Sequence, residues 1–99
     1  MIMVLGTVQL APDKLDGARG AMERMVAASR AEAGCIAYSY AQDILDPRTI
    51  HVIEKWRDRV ALEEHFATPH MGQWRGVMGS LGLNGRDLKI FETDEGAPI

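Results

Sequence analysis

Four stretches of the chain have the hydrophobic pattern of β-strands: residues 2–10, 35–42, 49–56 and 86–93. The first is apolar at nearly every position, which is typical of a strand covered on both faces. The second and third alternate, and a loop that contains Asp46 and Pro47 joins them. The fourth is expected to follow a turn at Asn84 and Gly85.

The segments between these strands have the pattern of helices. Apolar residues recur at three- and four-residue steps over residues 14–31, which predicts a long helix. Gly34 follows its last turn, where a left-handed cap is expected. A shorter helix is predicted over residues 59–67, and Asp58 is a good N-cap for it.

A break and restart follow this short helix, whose buried side is expected to carry Leu62 and Phe66. Thr68 as N-cap and Pro69 at the first helical position predict a new helix. Its apolar stripe has five members: Met71, Trp74, Val77, Met78 and Leu81. Glycines interrupt this stripe repeatedly, so this helix is expected to be the least stable element and a candidate for a moving wall.

Two of the predicted strands bring aromatic and acidic residues to a common face. Alternation places four residues on one face of the first: Ile36, Tyr38, Tyr40 and Gln42. It places four on one face of the second: Ile50, Val52, Glu54 and Trp56. If these strands form a hairpin, Tyr38 or Tyr40 would share one space with Glu54 and Trp56.

The order strand, helix, strand, strand, helix, strand predicts a ferredoxin-like α+β fold, with a four-stranded antiparallel sheet and helices on one face. One domain is expected over residues 1–94, followed by a tail of residues 95–99. The strands carry apolar residues on both sides, for example Met3 and Leu5 as well as their neighbours. The uncovered face is therefore expected to pack on a second copy, as a homodimer.

Composition excludes several classes of function. The 99 residues carry a formal net charge of −3 and no basic run, which argues against a nucleic-acid partner. No apolar run approaches the roughly 20 residues needed to span a bilayer, so no membrane partner is expected. The start of the chain lacks the pattern of a signal peptide, and the single cysteine, Cys35, is interpreted as a small buried hydrophobe. A cytoplasmic protein is expected.

Residues 53–71 concentrate the side chains suited to catalysis or ligand binding. His70 falls in the first turn of its helix, where the dipole disfavours imidazolium and keeps the ring able to accept a proton. His65 is the other candidate base, and Glu54 completes the candidate catalytic set. The candidate substrate-binding residues are aromatic: Tyr38, Tyr40, Trp56 and Trp74. The two tryptophans are expected to be able to sandwich a flat ring.

Each candidate also has a structural interpretation. His65 can hydrogen-bond the helix restart, and His70 can cap its own helix. Glu54 can pair with a basic neighbour at the strand end, and Trp56 can be part of the core. No metal site is predicted, because the two histidines are five residues apart across a helix break and not four apart on one helical face.

Four motifs carry a resemblance to a known family: A-G-C-I-A-Y at 33–38, D-P at 46–47, I-E-K-W at 53–56 and L-E-E-H-F-A-T-P-H-M at 62–71. Along essentially its whole length the chain resembles the antibiotic-biosynthesis monooxygenase domains of the dimeric α/β-barrel superfamily. The last two motifs look most like those of bacterial quinol monooxygenases. The resemblance implies oxygenation of an electron-rich aromatic, such as a quinol or an anthrone, with dioxygen and without flavin, haem or metal.

Departures from the family pattern narrow this resemblance. Polyketide-modifying members carry an asparagine and a tyrosine where this chain has Val52 and Leu62. The haem-degrading branch has an asparagine near Thr7 and Val8 and a tryptophan near His65, and this chain has neither. Three functions stay open: a cofactor-free monooxygenase acting on a quinol, a non-catalytic dimer that binds an aromatic or prenyl-like ligand, and a cofactor-free isomerase or lyase.

Overall fold

The computed structural model describes residues 1–80 and 82–99, with the backbone alone at Asn84. The elements follow in the order β1 (Ile2–Leu10), α1 (Leu15–Arg30), β2 (Cys35–Gln42), β3 (Thr49–Trp56), α2 (Arg59–Phe66), α3 (Pro69–Met78) and β4 (Leu83–Glu92). The strands form one antiparallel sheet in the order β2-β3-β1-β4. Side chains of all three helices join the core on one face of this sheet, its inner face. The ferredoxin-like fold is confirmed, as are the predicted bounds of β1, β2 and β3.

The start of β4 differs from the prediction. The strand begins at Leu83 and runs through the turn that the sequence predicted at Asn84 and Gly85. Gly85 has a positive φ of 55°, and the register of β1 against β4 shifts between Thr7 and Gln9. The predicted turn is therefore wrong, because the left-handed conformation of the glycine serves a β-bulge inside the strand.

A second bulge lies at the start of β2. The register against β3 shifts between Cys35 and Ala37, so that Cys35 lies opposite Trp56. Ile36 falls in the bulge and is 53% exposed. Its predicted place on the face of Tyr38 is therefore wrong, because the extra residue interrupts the alternation of the strand.

The short helix α2 buries a different stripe from the one predicted. Leu62 is fully buried as expected, whereas Phe66 is 43% exposed. The buried residues of this helix are Ala61, Leu62 and His65. Ala61 and His65 are one turn apart and define the centre of the stripe, so Phe66 falls at its edge.

Gly34 lies between α1 and β2 and is buried. The expectation that it caps α1 in a left-handed conformation is wrong, since the cap is Ala31 in the right-handed region and Gly34 is not among the described glycines with positive φ. A Cβ atom at Gly34 would lie 2.4 Å from the Cβ of Ala61. Glycine is needed here because the chain passes close against α2.

The helix α3 is the least buried of the three. Among its described residues none is fully buried, although Met71 and Trp74 are partly buried and pack against the core. Val77 is 38% exposed, and Leu81, the last member of the predicted stripe, lies outside the described residues. Across the described chain, no helix is both long and apolar enough to cross a membrane.

The outer face of the sheet, opposite the helices, has an apolar centre. Met3 lies opposite Phe91 of β4, and Leu5 lies opposite Ile53 of β3. Ile53 is 40% exposed and Phe91 is 45% exposed. Apolar residues therefore occupy both faces of the sheet, as the pattern of β1 predicted.

Replacing Gly34 with alanine is expected to destabilise the protein, because the new methyl group would meet the Cβ of Ala61 at 2.4 Å. Overpacking of this kind costs about 1–3 kcal/mol. Gly76→Ala is the matched control, because a Cβ there has no neighbour within 4 Å and the loss of a helical glycine stabilises by up to about 1 kcal/mol. Urea unfolding followed by tryptophan fluorescence measures both changes. An unfolding free energy for Gly34→Ala equal to that of the original protein would contradict the requirement for glycine.

Candidate active site

Two helix caps fix the positions of His65 and His70. The carboxylate of Asp58 accepts a backbone N–H of α2 at 2.8 Å, as predicted for its N-cap. The hydroxyl of Thr68 accepts a backbone N–H of α3 at 3.3 Å and donates to the carbonyl oxygen of His65 at 2.7 Å. One side chain thus joins the end of α2 to the start of α3 and holds the histidines on either side of the joint.

A carboxylate that the sequence analysis missed binds both histidines. Glu32 follows α1 and places its Oε2 2.6 Å from Nδ1 of His65 and 2.8 Å from Nε2 of His70. The side chains of His65, Glu32 and His70 are 1%, 15% and 22% exposed. Glu32 is 33 residues from His65 and 38 from His70, so no local pattern links them. Its place directly before the motif at 33–38 is the one sequence signal that could have indicated it.

The contact with Glu32 selects one tautomer of His65. A carboxylate only accepts hydrogen bonds, so Nδ1 of His65 carries the proton and Nε2 is left as the acceptor. No group in the described part of the chain bonds this Nε2. The indole of Trp56 lies against the ring, with centroids 4.5 Å apart. Burial lowers the pKa of His65 below its usual value, against the opposing effect of Glu32, and so favours the neutral ring.

A cavity of about 290 Å³ lies between the inner face of the sheet and α3. Much of its wall is apolar, formed by residues such as Val4, Met22 and Leu88. Five of the seven predicted site residues line it: Tyr38, Tyr40, Glu54, His65 and Trp74. The prediction that β2 and β3 direct their tyrosines and Glu54 into one space is confirmed, and the register places Tyr38 opposite Glu54.

The other two predicted site residues lie elsewhere. Trp56 is fully buried and does not line the cavity, so it supports His65 from behind and forms no sandwich with Trp74. His70 lies in a separate groove between α1 and α3. Of the two candidate bases, His65 is therefore the one on the cavity wall, and His70 reaches it only through Glu32.

Glu54 is a second titratable group on the cavity wall. It is 7% exposed, and its Oε1 accepts the indole N–H of Trp56 at 2.9 Å. Burial raises the pKa of Glu54 to about 7, and the nearby charge of Glu32 adds to this rise. The pairing with a basic neighbour that the sequence suggested is absent from the described contacts, where Arg57 pairs with Asp58. Glu54 can therefore gain or lose a proton near neutral pH.

The two tyrosines remain protonated and act as hydroxyl groups. Their oxygens are 2.9 Å apart, and burial raises the pKa of each above its usual value. Tyr38 is 2% exposed, and its ring lies 5.6 Å from that of His65 between centroids. The ring centroids of Tyr40 and Trp74 are 6.0 Å apart. These residues give the cavity two hydroxyl groups and a flat indole wall.

Glu32, His65 and His70 are the described residues that could hold a metal ion, since their ligand atoms lie within 4.8 Å of one another. Two ligands about 2.1 Å from a tetrahedral zinc ion would be about 3.3 Å apart. The separations of 2.6 and 2.8 Å are those of direct hydrogen bonds. The geometry is that of two imidazole rings that each donate a hydrogen bond to the carboxylate of Glu32. To bind a metal ion, the three side chains would have to move apart.

The sequence pattern of one family, described as antibiotic biosynthesis monooxygenase, matches residues 1–77. The chain belongs to this family. The matched region extends from β1 almost to the end of α3, so it includes Glu32 and every predicted site residue.

Several proteins are similar to this chain in sequence, in fold or in both. The uncharacterised Synechocystis protein sll1783 is 31% identical over 94 residues, which are 95% of this chain and 64% of that protein, less than two thirds of its length. Rv0793 of Mycobacterium tuberculosis, provisionally named a monooxygenase, is 30% identical over 80 residues, which are 81% of this chain and 78% of its own. The structure of Rv0793 has a TM-score of 0.84 at 25% identity over 98% of both chains. A Deinococcus radiodurans structure provisionally assigned to the family has a TM-score of 0.91 and shares the fold at 23% identity, over 100% of this chain and 98% of its own.

The raised pKa of Glu54 predicts a specific dependence of stability on pH. The folded state holds this proton up to a pKa of about 7, whereas the usual value is 4.5, so stability falls as pH rises between these values. The full effect is up to about 3 kcal/mol. Glu54→Gln keeps an acceptor for the Trp56 indole and removes the titration. As the pH is raised from 5 to 8, the unfolding free energy of this variant is therefore expected to rise relative to that of the original protein. Urea unfolding at both pH values measures this difference; parallel pH dependence in the two proteins would rule out the raised pKa.

Proposed function

We propose that this member of the antibiotic biosynthesis monooxygenase family oxidises a quinol with dioxygen and without a bound cofactor. The observation that carries the proposal is the buried His65, whose Nδ1 is bonded to Glu32 and whose Nε2 has no partner among the described contacts, on the wall of a largely apolar cavity. For a naphthoquinol the balanced reaction consumes one quinol and one dioxygen and forms one hydroxynaphthoquinone and one water. The substrate supplies all four electrons, so no external reductant is needed.

The first step is removal of a phenolic proton by Nε2 of His65. A phenol titrates near pH 10, about as tyrosine does, so a positioned base increases the fraction of anion at neutral pH. Glu32 stabilises the imidazolium that results, because its carboxylate accepts the Nδ1 proton at 2.6 Å. Trp56 packs against the ring and holds its orientation.

The second step uses the electrons of the quinol anion. The anion passes one electron to dioxygen, and the semiquinone and superoxide then combine at a ring carbon. The peroxide takes a proton from the His65 imidazolium or from Glu54, whose pKa of about 7 allows it to donate. Loss of water, which includes the hydrogen of that ring carbon, leaves a carbonyl group and thus the hydroxyquinone. One of the hydroxyl groups of Tyr38 and Tyr40 donates to the other at 2.9 Å, so the second is left to donate a hydrogen bond to an oxygen that carries negative charge.

The size of the cavity favours a compact substrate. Its volume of about 290 Å³ is at the lower end of small-molecule pockets, which begin near about 300 Å³. A quinol of one or two rings suits this space better than one with a long prenyl chain. Trp74 and Tyr40 provide flat walls for such a ring.

One observation favours a second function, a cofactor-free isomerase. His65 and Glu54 place a base and a titratable acid on the walls of one cavity, which is the requirement for moving a proton between two carbons of a substrate. This reaction would proceed equally well without oxygen, whereas the oxidation of a quinol would stop.

Dioxygen consumption with a reduced naphthoquinol, no added cofactor and a chelator present tests the proposed function. We expect a saturable rate above autoxidation and a decrease of about 10²- to 10⁴-fold in His65→Gln, as for the loss of a general base. His51→Gln is the matched control, because His51 lies on the outer face and bonds Asp43 at 2.7 Å. Absence of any excess rate over several quinols and anthrones would contradict oxygenation, and an unchanged rate in His65→Gln would remove its role as base.

We also propose that the protein is a homodimer joined through the outer face. Met3, Leu5, Ile53 and Phe91 form a contiguous apolar centre there. Basic and acidic residues of the same strands flank this centre, so a copy related by two-fold symmetry can pair opposite charges. A chain of 99 residues also gains stability by covering such a surface.

A charge at the centre of the outer face is expected to separate the dimer. Ile53→Glu would leave an unpaired carboxylate in the apolar contact, which disfavours association. Ile44→Glu is the matched control, because Ile44 is 96% exposed in the loop between β2 and β3. Size-exclusion chromatography with light scattering should give a dimer for the original protein and the control and a monomer for Ile53→Glu. A monomeric original protein, or an Ile53→Glu dimer, would contradict this interface.

A further inference from the structure

Two arginines line the cavity from different elements. Arg75 belongs to α3 and Arg86 to β4, and both are exposed, which places them at the opening. Arg86 falls in the bulge of β4, between the paired residues Asn84 and Asp87, and lines the cavity from there. Neither forms an ion pair among the described contacts.

Negative charge is scarce on the described cavity wall. Glu54 is the one acidic residue among the lining residues, and its raised pKa of about 7 leaves it partly neutral at physiological pH. The positive charge of the wall therefore stands in contrast to the formal net charge of −3 of the whole chain. Low-dielectric walls concentrate such a field inside a cavity and attract ligands of the opposite charge.

The environment of Arg75 places its charge near the reacting group. Its positive charge contributes to lowering the pKa of His65. The guanidinium donates one hydrogen bond to the carbonyl oxygen of Phe66, which anchors the side chain across the end of α2. A guanidinium has five N–H donors, so most of them remain for a ligand.

We propose that the substrate is a hydroxyaromatic that carries a carboxylate, which Arg75 and Arg86 bind at the opening while the hydroxyl group reaches His65. The inference rests on the proposed function, in which this cavity is the substrate site. The planar guanidinium matches a carboxylate through two parallel hydrogen bonds, and such pairs are the stronger class of hydrogen bond. The same two charges stabilise the quinol anion that His65 forms, and the anionic hydroxyquinone that is the product.

Isothermal titration calorimetry with 6-hydroxy-2-naphthoate and with 2-naphthol tests this substrate class without turnover. The two probes share the ring and the hydroxyl group and differ in the carboxylate. We expect the naphthoate to bind about tenfold more tightly or better, as for a hydrogen bond between charged groups. The preference should weaken as salt is raised, because the arginines lie at the opening.

Arg75→Gln and Arg86→Gln are each expected to remove most of this preference while leaving the affinity for 2-naphthol within about twofold. The second variant is needed because Arg75→Gln also removes the bond to the Phe66 carbonyl. Arg59→Gln is the matched control, since Arg59 is exposed on α2 and does not line the cavity.

Equal affinity for the two probes, or a preference that survives in both arginine variants, would overturn the inference. Failure of both probes to bind would overturn it together with the use of this cavity as an aromatic site. Tight binding of the naphthoate without oxygen uptake from any quinol carboxylate would support the ligand class and contradict oxygenation alone. Oxygen uptake from neutral quinols with no preference between the probes would contradict the ligand class alone.

Discussion

The hydrogen bonds to one oxygen of Glu32 are the contacts on which the site depends. A mostly buried carboxylate is stable only if donors surround it, and here both donors are imidazole rings from the two sides of a helix joint. The chain thus fixes α2 and α3 relative to the end of α1 through a polar cluster. The same contacts decide the chemistry, because a ring that must donate from Nδ1 can accept only at Nε2.

The surrounding residues complete an electrostatic arrangement around this base. Burial favours the neutral forms of His65 and Glu54 and keeps Tyr38 and Tyr40 protonated, so the inner part of the cavity holds groups that can donate or accept protons without fixed charge. Among the described lining residues, fixed positive charge comes from three exposed side chains, Arg75, Arg86 and Lys89. An anion formed inside the cavity is therefore stabilised by hydrogen bonds and by the positive charge at the opening. The one acidic residue among the described lining residues is Glu54, which repels such an anion only when the pH is high enough to ionise it.

Local signals predicted most of the fold and part of the site. The caps at Asp58 and Thr68 and the bounds of three strands depend on neighbouring residues, and the alternation of β2 and β3 was sufficient to bring the tyrosines to Glu54. The errors at Ile36, Phe66 and Gly34 have a different origin. Each depends on which element packs against the residue: a bulge set by the partner strand, the direction from which the core covers α2, and the approach of Ala61. Glu32 was missed for the same reason, since its partners are more than thirty residues away.

The departures from the family pattern take on a physical meaning in the structure. Val52 lines the cavity, where polyketide-modifying members are expected to have an amide, and Leu62 is fully buried in the core. Neither position can supply a hydrogen bond to a substrate. The polar groups of this cavity come instead from Tyr38, Tyr40, Glu54 and His65, on β2, β3 and α2. A substrate must therefore present its reacting hydroxyl to the side of the cavity formed by these elements, which leaves the opposite end of the ring near α3 and β4. Belonging to the family fixes the fold, whereas the orientation of the substrate follows from where this chain has placed its own donors and acceptors.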